Sequence, residues 1–306
     1  MSAEPLDRET LRRLLGPGAE ADLREVQARG DAVDHGLYLQ EELLLIQRAD
    51  RIPATRLRPK TPGPHPAILY CHAHGNAWHV GRTELLEGRP ALAPEPYGPA
   101  LAEAGYIVLC LDMPGHGDRI TDGPESALAK AELWHGRTLL GRMLADLACG
   151  LDLLRGDPGV DAARIGTFGL SMGATHAYWL AALDDRIAAV AHLCAFADIA
   201  PLIETGAHDL HGAYMTVPGL LTHGDMADVA ALVAPRPQFV GVGRRDPLTP
   251  PVALDPALSR LRAAYAAEGA GDRLQVFMED DAGHEETPRM RAAVLRFLEA
   301  ALRPWR

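Results

Sequence analysis

The fold class this 306-residue sequence predicts is α/β, with a mostly parallel central sheet and helices on both faces. Three observations predict it. From Ala67 onward, short apolar runs alternate with amphipathic segments of helical length. Near the middle, Ile165-Gly-Thr-Phe-Gly-Leu-Ser-Met-Gly-Ala174 passes from an apolar run through a glycine-flanked turn into a helix-compatible stretch. Hydrophobic residues make up 47% of the chain, while its 30 Gly and 24 Pro are scattered, a pattern of many turns rather than of disorder.

Residues 1–35 read as a polar helical arm, with helices over 8–15 and 20–29 broken by Gly16-Pro17-Gly18. Strands follow over 38–47 and 52–57. Prolines make 61–66 a stiff loop, because each denies a ladder donor. Then come a strand over 67–71, a helix over 97–104 closed by Gly105, and a strand over 106–111. The remaining helices are expected over 142–154, 174–183, 228–233, 256–268 and 288–302. The remaining strands are expected over 164–169, 187–196, 238–243 and 273–279. No linker or composition break divides the chain, so one domain over 1–306 is the economical reading. Residues 116–141 and 198–226 interrupt the alternation after strands. Insertions at the strand C-terminal edge sit where open α/β sheets bind ligands, so these two are candidates for a lid or pocket.

A formal charge of −11 argues against a nucleic-acid or anionic-membrane surface. The start of the chain is polar and charged, unlike a secretory signal, and no run approaches the ~20 apolar residues that span a bilayer. Cys71, Cys110, Cys149 and Cys194 lie far apart and read as buried free thiols. A cytoplasmic protein is the expectation.

Strand, Gly-x-Ser-x-Gly, helix is the context of a nucleophile elbow, which places Ser171 on a strained turn at the top of the sheet. A serine hydroxyl needs a base within hydrogen-bond reach, itself oriented by a carboxylate. His284 follows the final expected strand and is the candidate base. Asp246, in Gly243-Arg-Arg-Asp-Pro247, follows the strand before it and is the favoured orienter, with Asp198 a competing position. An oxyanion hole needs two donors. The Met172 amide, next after the nucleophile, is one candidate, and the Asn76 amide in His72-Ala-His-Gly-Asn76 is the other. His72 and His74, with His79, also allow a metal-dependent hydrolase as an alternative of another class. Trp78, His79, Trp134, Tyr214 and Met215 fall in or beside the insertions and are candidate pocket residues.

On these residues the chain resembles the α/β-hydrolase superfamily, in its dienelactone hydrolase and acetylxylan esterase-like branch. The resemblance runs from about residue 67 to 303. It is carried by His72-Ala-His-Gly-Asn76, Asp112-Met-Pro-Gly-His-Gly117, Gly136-Arg-Thr-Leu-Leu-Gly141, Gly169-Leu-Ser-Met-Gly173, Asp225-Met-Ala-Asp228 with Ala234-Pro-Arg-Pro237, Gly243-Arg-Arg-Asp246 and Gly283-His284. It implies a serine esterase mechanism with Ser171, Asp246 and His284 as triad, Asn76 and Met172 as oxyanion donors, no metal or organic cofactor, and a homo-oligomer. Dienelactone hydrolases proper carry cysteine at the elbow. Serine here points to ordinary carboxylic esters. A peptidase, a C–C bond hydrolase or a non-catalytic binding protein could use the same scaffold.

Overall fold

The computed structural model describes residues 6–302. Residues 1–5 of the expected arm and 303–306 lie outside them. Asp7 accepts the Thr10 N–H and opens helix α1 (Arg8–Leu15), which buries Leu11 and Leu15. The expected helix over 20–29 does not form. Strands β1 (Leu23–Ala28) and β2 (Val33–Asp34) instead pair antiparallel with β3 (Tyr38–Gln47). An isolated polar helix of that length is marginal in water, whereas the open edge of β3 offers a row of unsatisfied backbone groups. The arm is therefore one helix and two edge strands.

Strand β4 (Asp50–Pro59) forms a hairpin with β3, and β5 (His65–Cys71) is buried along its whole length, taking in the last two residues of the expected stiff loop. Next come α2 (Glu84–Glu87), α3 (Tyr97–Glu103), β6 (Ile107–Leu111), α4 (Glu125–Trp134) and α5 (Leu139–Gly156). The second half comprises β7 (Val160–Leu170), α6 (Met172–Leu183), β8 (Ala189–Leu193), α7 (Ile199–Thr205) and α8 (Met226–Ala231). It ends with β9 (Gln238–Gly243), α9 (Pro251–Ala267), β10 (Leu274–Glu279) and α10 (Pro288–Leu302).

The sheet runs β1-β3-β4-β6-β5-β7-β8-β9-β10, with β2 beside β3. From β6 to β10 every pairing is parallel, and the antiparallel strands form one edge. The sheet is open. Apolar residues of α1, α5, α6, α8 and α9 fill one face, and those of α3 and α10 the other. Both insertions follow the C-terminal ends of parallel strands. The first holds α4, and the second holds α7 and short 3-10 turns. All four cysteines are free and buried. Among the described residues no helix is long and apolar enough to cross a membrane.

The close approach of β5 to α6 sets the centre of the molecule. A methyl group added at Gly173 would run into the Cys71 carbonyl, and one at Gly169 would meet both that carbonyl and Gly173. Arg8 and Arg12 of α1 reach the other end of α6, donating to the carbonyls of Ala182 at 2.8 Å and Leu183 at 2.7 Å.

Gly173→Ala is expected to lower stability by about 2 kcal/mol or more, because backbone rather than a mobile side chain occupies the space. Urea unfolding monitored by circular dichroism measures it. A second expectation concerns acid. His72, His116, His176 and His192 are fully buried. Burial pushes His116 down to about 4, His176 and His192 to about 3, and His72 well below its ordinary 6.5. Below pH 6.5 the unfolded chain takes up protons that these native rings refuse, so stability falls as pH drops toward 4. Each ring adds a slope of up to about 1.4 kcal/mol per pH unit. The urea midpoint should drop steadily from pH 7 to pH 5, and less steeply in His176→Phe.

Candidate active site

Strand β7 ends at Leu170, and the next residue turns the chain directly into α6. Ser171 sits at φ 56° and ψ −121°, a left-handed backbone that a serine adopts only under constraint. Two hydrogen bonds supply that constraint: Ser171 N–H donates to Leu193 O at 2.8 Å, and Ser171 O accepts from Thr175 N–H at 3.1 Å. The hydroxyl thus stands at the N-terminus of α6, where the helix dipole favours negative charge.

Two loops from the far side of the sheet meet it. The loop after β10 brings His284 Nε2 to 2.9 Å from Ser171 Oγ, and the loop after β9 brings Asp246 Oδ2 to 2.7 Å from His284 Nδ1. Asp246 is 1% exposed, and its other oxygen accepts the Leu248 N–H at 2.8 Å. That bond fixes the carboxylate plane, so Nδ1 carries the proton and Nε2 faces the hydroxyl. Asp198, the competing position, lies elsewhere. It accepts the Ala227 N–H at 3.0 Å and pairs with Arg260 at 2.8 Å. Asp280 and Asp281 pair with Arg244 and Arg245 at the surface.

The loop after β5 forms the third wall. A buried ion pair between Glu84 and Arg89 grips Ala73 by both backbone groups: Glu84 accepts its N–H at 3.0 Å, and Arg89 donates to its carbonyl at 2.9 Å. Burial raises the Glu84 carboxyl despite the Arg89 charge beside it. Beneath this loop lies Asp112, first residue of Asp112-Met-Pro-Gly-His-Gly117. It is fully buried, ion-paired to Arg82, and accepts the amides of Arg82 at 2.7 Å and Asp118 at 3.0 Å. The loops after β5 and β6 are thereby fastened together.

The histidines of this loop use both ring nitrogens within the protein. His72 Nε2 accepts the Met113 N–H at 3.1 Å, leaving its Nδ1–H to donate to Ala73 O at 3.0 Å. His74 Nδ1 accepts the Asn76 N–H at 3.0 Å, so its Nε2–H donates to Glu125 of α4 at 2.8 Å. Burial would raise the Glu125 carboxyl, but hydrogen bonding, from His74 foremost, outweighs it and holds the group below its ordinary range. Neither histidine keeps a free lone pair for a metal. Among the described residues no group of three or more His, Cys, Asp or Glu is placed to hold a metal ion.

A cavity of about 700 Å³ opens above Ser171 and His284. Of the expected pocket residues, Trp78 and Tyr214 line it, as do His74, Asn76 and Glu125. Met215 lines a neighbouring cavity instead. Two expected residues are elsewhere: His79 is exposed and outside both cavities, and Trp134, 90% exposed at the end of α4, points into water. Position within an insertion did not distinguish a wall residue from one on the outer helix face. Sequence reading missed Glu125 and His211, which come from the insertions with no motif around them. Arg137 pairs with Glu132 at 2.7 Å and ties the turn after α4 to that helix.

A model of the dienelactone hydrolase family matches residues 97–205. A Bacillus subtilis (strain 168) protein carrying the name "Putative hydrolase YtaP" is 40% identical over 261 residues, spanning 85% of this chain and 87% of its own. Among solved structures, acetyl xylan esterase 1 from Thermoanaerobacterium sp. JW/SL YS485 superposes with a TM-score of 0.71 at 17% identity, covering 97% of this chain and 94% of that one. The acetyl xylan esterase from Paenibacillus sp. R4 does so with a TM-score of 0.68 at 19% identity, covering 98% of both. These two likenesses bear on the fold, and the Bacillus relative on the family. With an open, mostly parallel sheet and a serine held between β7 and α6, the chain is a hydrolase of the α/β-hydrolase superfamily and belongs to the dienelactone hydrolase family.

Proposed function

We propose that the protein is a serine esterase that cleaves carboxylic esters through an acyl-enzyme formed on Ser171. The carrying observation is the unbroken hydrogen-bond line from Ser171 Oγ through His284 to Asp246, at 2.9 and 2.7 Å. In this reading His284 Nε2 takes the Ser171 proton as Oγ adds to the ester carbonyl. Asp246 holds the Nδ1–H tautomer and stabilises the imidazolium that forms. His284 then protonates the leaving alcohol, and next takes a proton from water as that water attacks the acyl-enzyme. Loss of the carboxylic acid restores Ser171.

The tetrahedral oxyanion forms beside the N-terminus of α6, where the Met172 N–H is the first donor. The Asn76 N–H is the second. In the resting protein it donates to the neutral His74 Nδ1, and an anionic oxygen is the stronger acceptor for it. The Glu84–Arg89 grip on Ala73 and the His74–Glu125 bond fix the loop that carries Asn76, so its N–H has only to exchange the His74 ring for the oxyanion as the charge develops.

Ser171→Ala should lower kcat on p-nitrophenyl acetate by about 10⁴-fold or more, with KM little changed. A fluorophosphonate should label the parent protein once, at Ser171, and leave the variant unlabelled. Residual turnover within tenfold of the parent would overturn the assignment. Asp246→Asn keeps the shape but favours the wrong tautomer, and should cost on the order of 10³-fold in kcat while fluorophosphonate labelling slows rather than vanishes.

A further inference from the structure

A second cavity, of about 540 Å³, abuts the first and shares Asp209, His211, Gly212 and Ala213 with it. The rest of its wall is largely aliphatic, with Ile203 of α7 and Met215, Val217 and Leu221 of the second insertion. Ile203 and Leu221 remain 48% and 45% exposed, so much of this apolar wall is uncovered. The strip dividing the cavities is fastened to the first at two points. His211 Nε2–H donates to Leu248 O at 2.9 Å, and Tyr214 N–H donates to Glu125 at 3.3 Å. The acceptors belong to the Asp246 loop and to the helix that holds His74. The second cavity is therefore held in register with Ser171.

Charge narrows what can enter. Among the described residues neither lining contains Lys or Arg, while both contain Asp209 and the first also contains Glu125. Arg89, the guanidinium behind Gly75, is buried and paired with Glu84.

Resting on the Ser171 reading above, we infer that the second cavity is the subsite for the apolar arm of the ester, and that the preferred substrate is an uncharged ester with a medium-length alkyl chain. Each methylene moved from water into such a wall strengthens binding by about fourfold. A carboxylate at the end of the same chain would face Asp209 with no Lys or Arg to receive it.

Three p-nitrophenyl esters sharing one leaving group test this: the acetate, the octanoate, and the octanedioate monoester, whose chain ends in a carboxylate. In the parent protein, kcat/KM for octanoate should exceed that for acetate by about tenfold or more, and octanedioate should fall about tenfold or more below octanoate. Ile203→Asp and Leu221→Asp, on separate elements and half exposed, should each remove most of the octanoate advantage while leaving acetate within about twofold and Tm unchanged. An octanoate-to-acetate ratio near one, or a ratio neither variant moves, would overturn the subsite. Equal turnover of octanoate and octanedioate would overturn the charge preference. Binding of the neutral dye N-phenyl-1-naphthylamine to Ser171→Ala gives a readout independent of catalysis. Saturable fluorescence enhancement, lost in Ser171→Ala combined with Ile203→Asp, supports the subsite even if no ester is cleaved, an outcome that would count against the Ser171 reading alone.

Discussion

The Cys71 carbonyl sits so close to the first turn of α6 that neither residue 169 nor residue 173 can carry a side chain. Much else depends on that contact. It draws the C-terminal end of β5 against the N-terminus of α6, so the loop leaving β5 has to pass beside Ser171. It also leaves Ser171 little freedom between β7 and α6, with the Leu193 carbonyl fixing its amide from the neighbouring strand. A strained backbone at one residue is affordable because two central strands and a buried helix over-determine it.

Around this rigid centre the polar groups are arranged in tiers. Nearest the serine, Asp246 and His284 come from loops after β9 and β10, whose positions follow from parallel pairing. Behind the loop after β5, two buried carboxylates, Glu84 and Asp112, each meet a guanidinium and at least one backbone amide. Removing one partner from such an assembly leaves an uncompensated buried charge, so it fixes a conformation more than it adds stability. Further out, Glu125 joins both insertions to the core by accepting from His74 and from the Tyr214 amide. The insertions are thereby coupled to the loop after β5.

The parallel half of the fold was legible because buried strands write themselves as continuous apolar runs and the helices between them as periodic ones. The expected spans over 238–243 and 288–302 match β9 and α10 residue for residue. The meeting of Ser171, Asp246 and His284 was legible for the same reason, since strand-end loops of a parallel sheet converge on one edge. The antiparallel edge was harder. Residues 23–28 carry Arg, Glu and Gln with weak alternation, and only the presence of β3 makes them a strand. The insertions were hardest. His74 and Glu125 meet across 51 residues, and no local pattern in α4 separates Glu125, buried against His74, from Trp134, facing water. Such contacts depend on how an irregular segment folds back, which hydrophobic period does not encode.

The arginines of α1 have a further consequence. Helix α6 ends in carbonyls that no later turn can satisfy, and guanidinium groups from two remote elements reach them: Arg8 and Arg12 from the first helix, and Arg236 at Ala181. Cations at that end meet the negative pole of the helix dipole and satisfy the carbonyls of its last turn, where their effect is confined. The beginning of the chain thereby closes the end of the helix that opens at Ser171. A change there can therefore loosen the end of α6 while leaving every cavity residue in place.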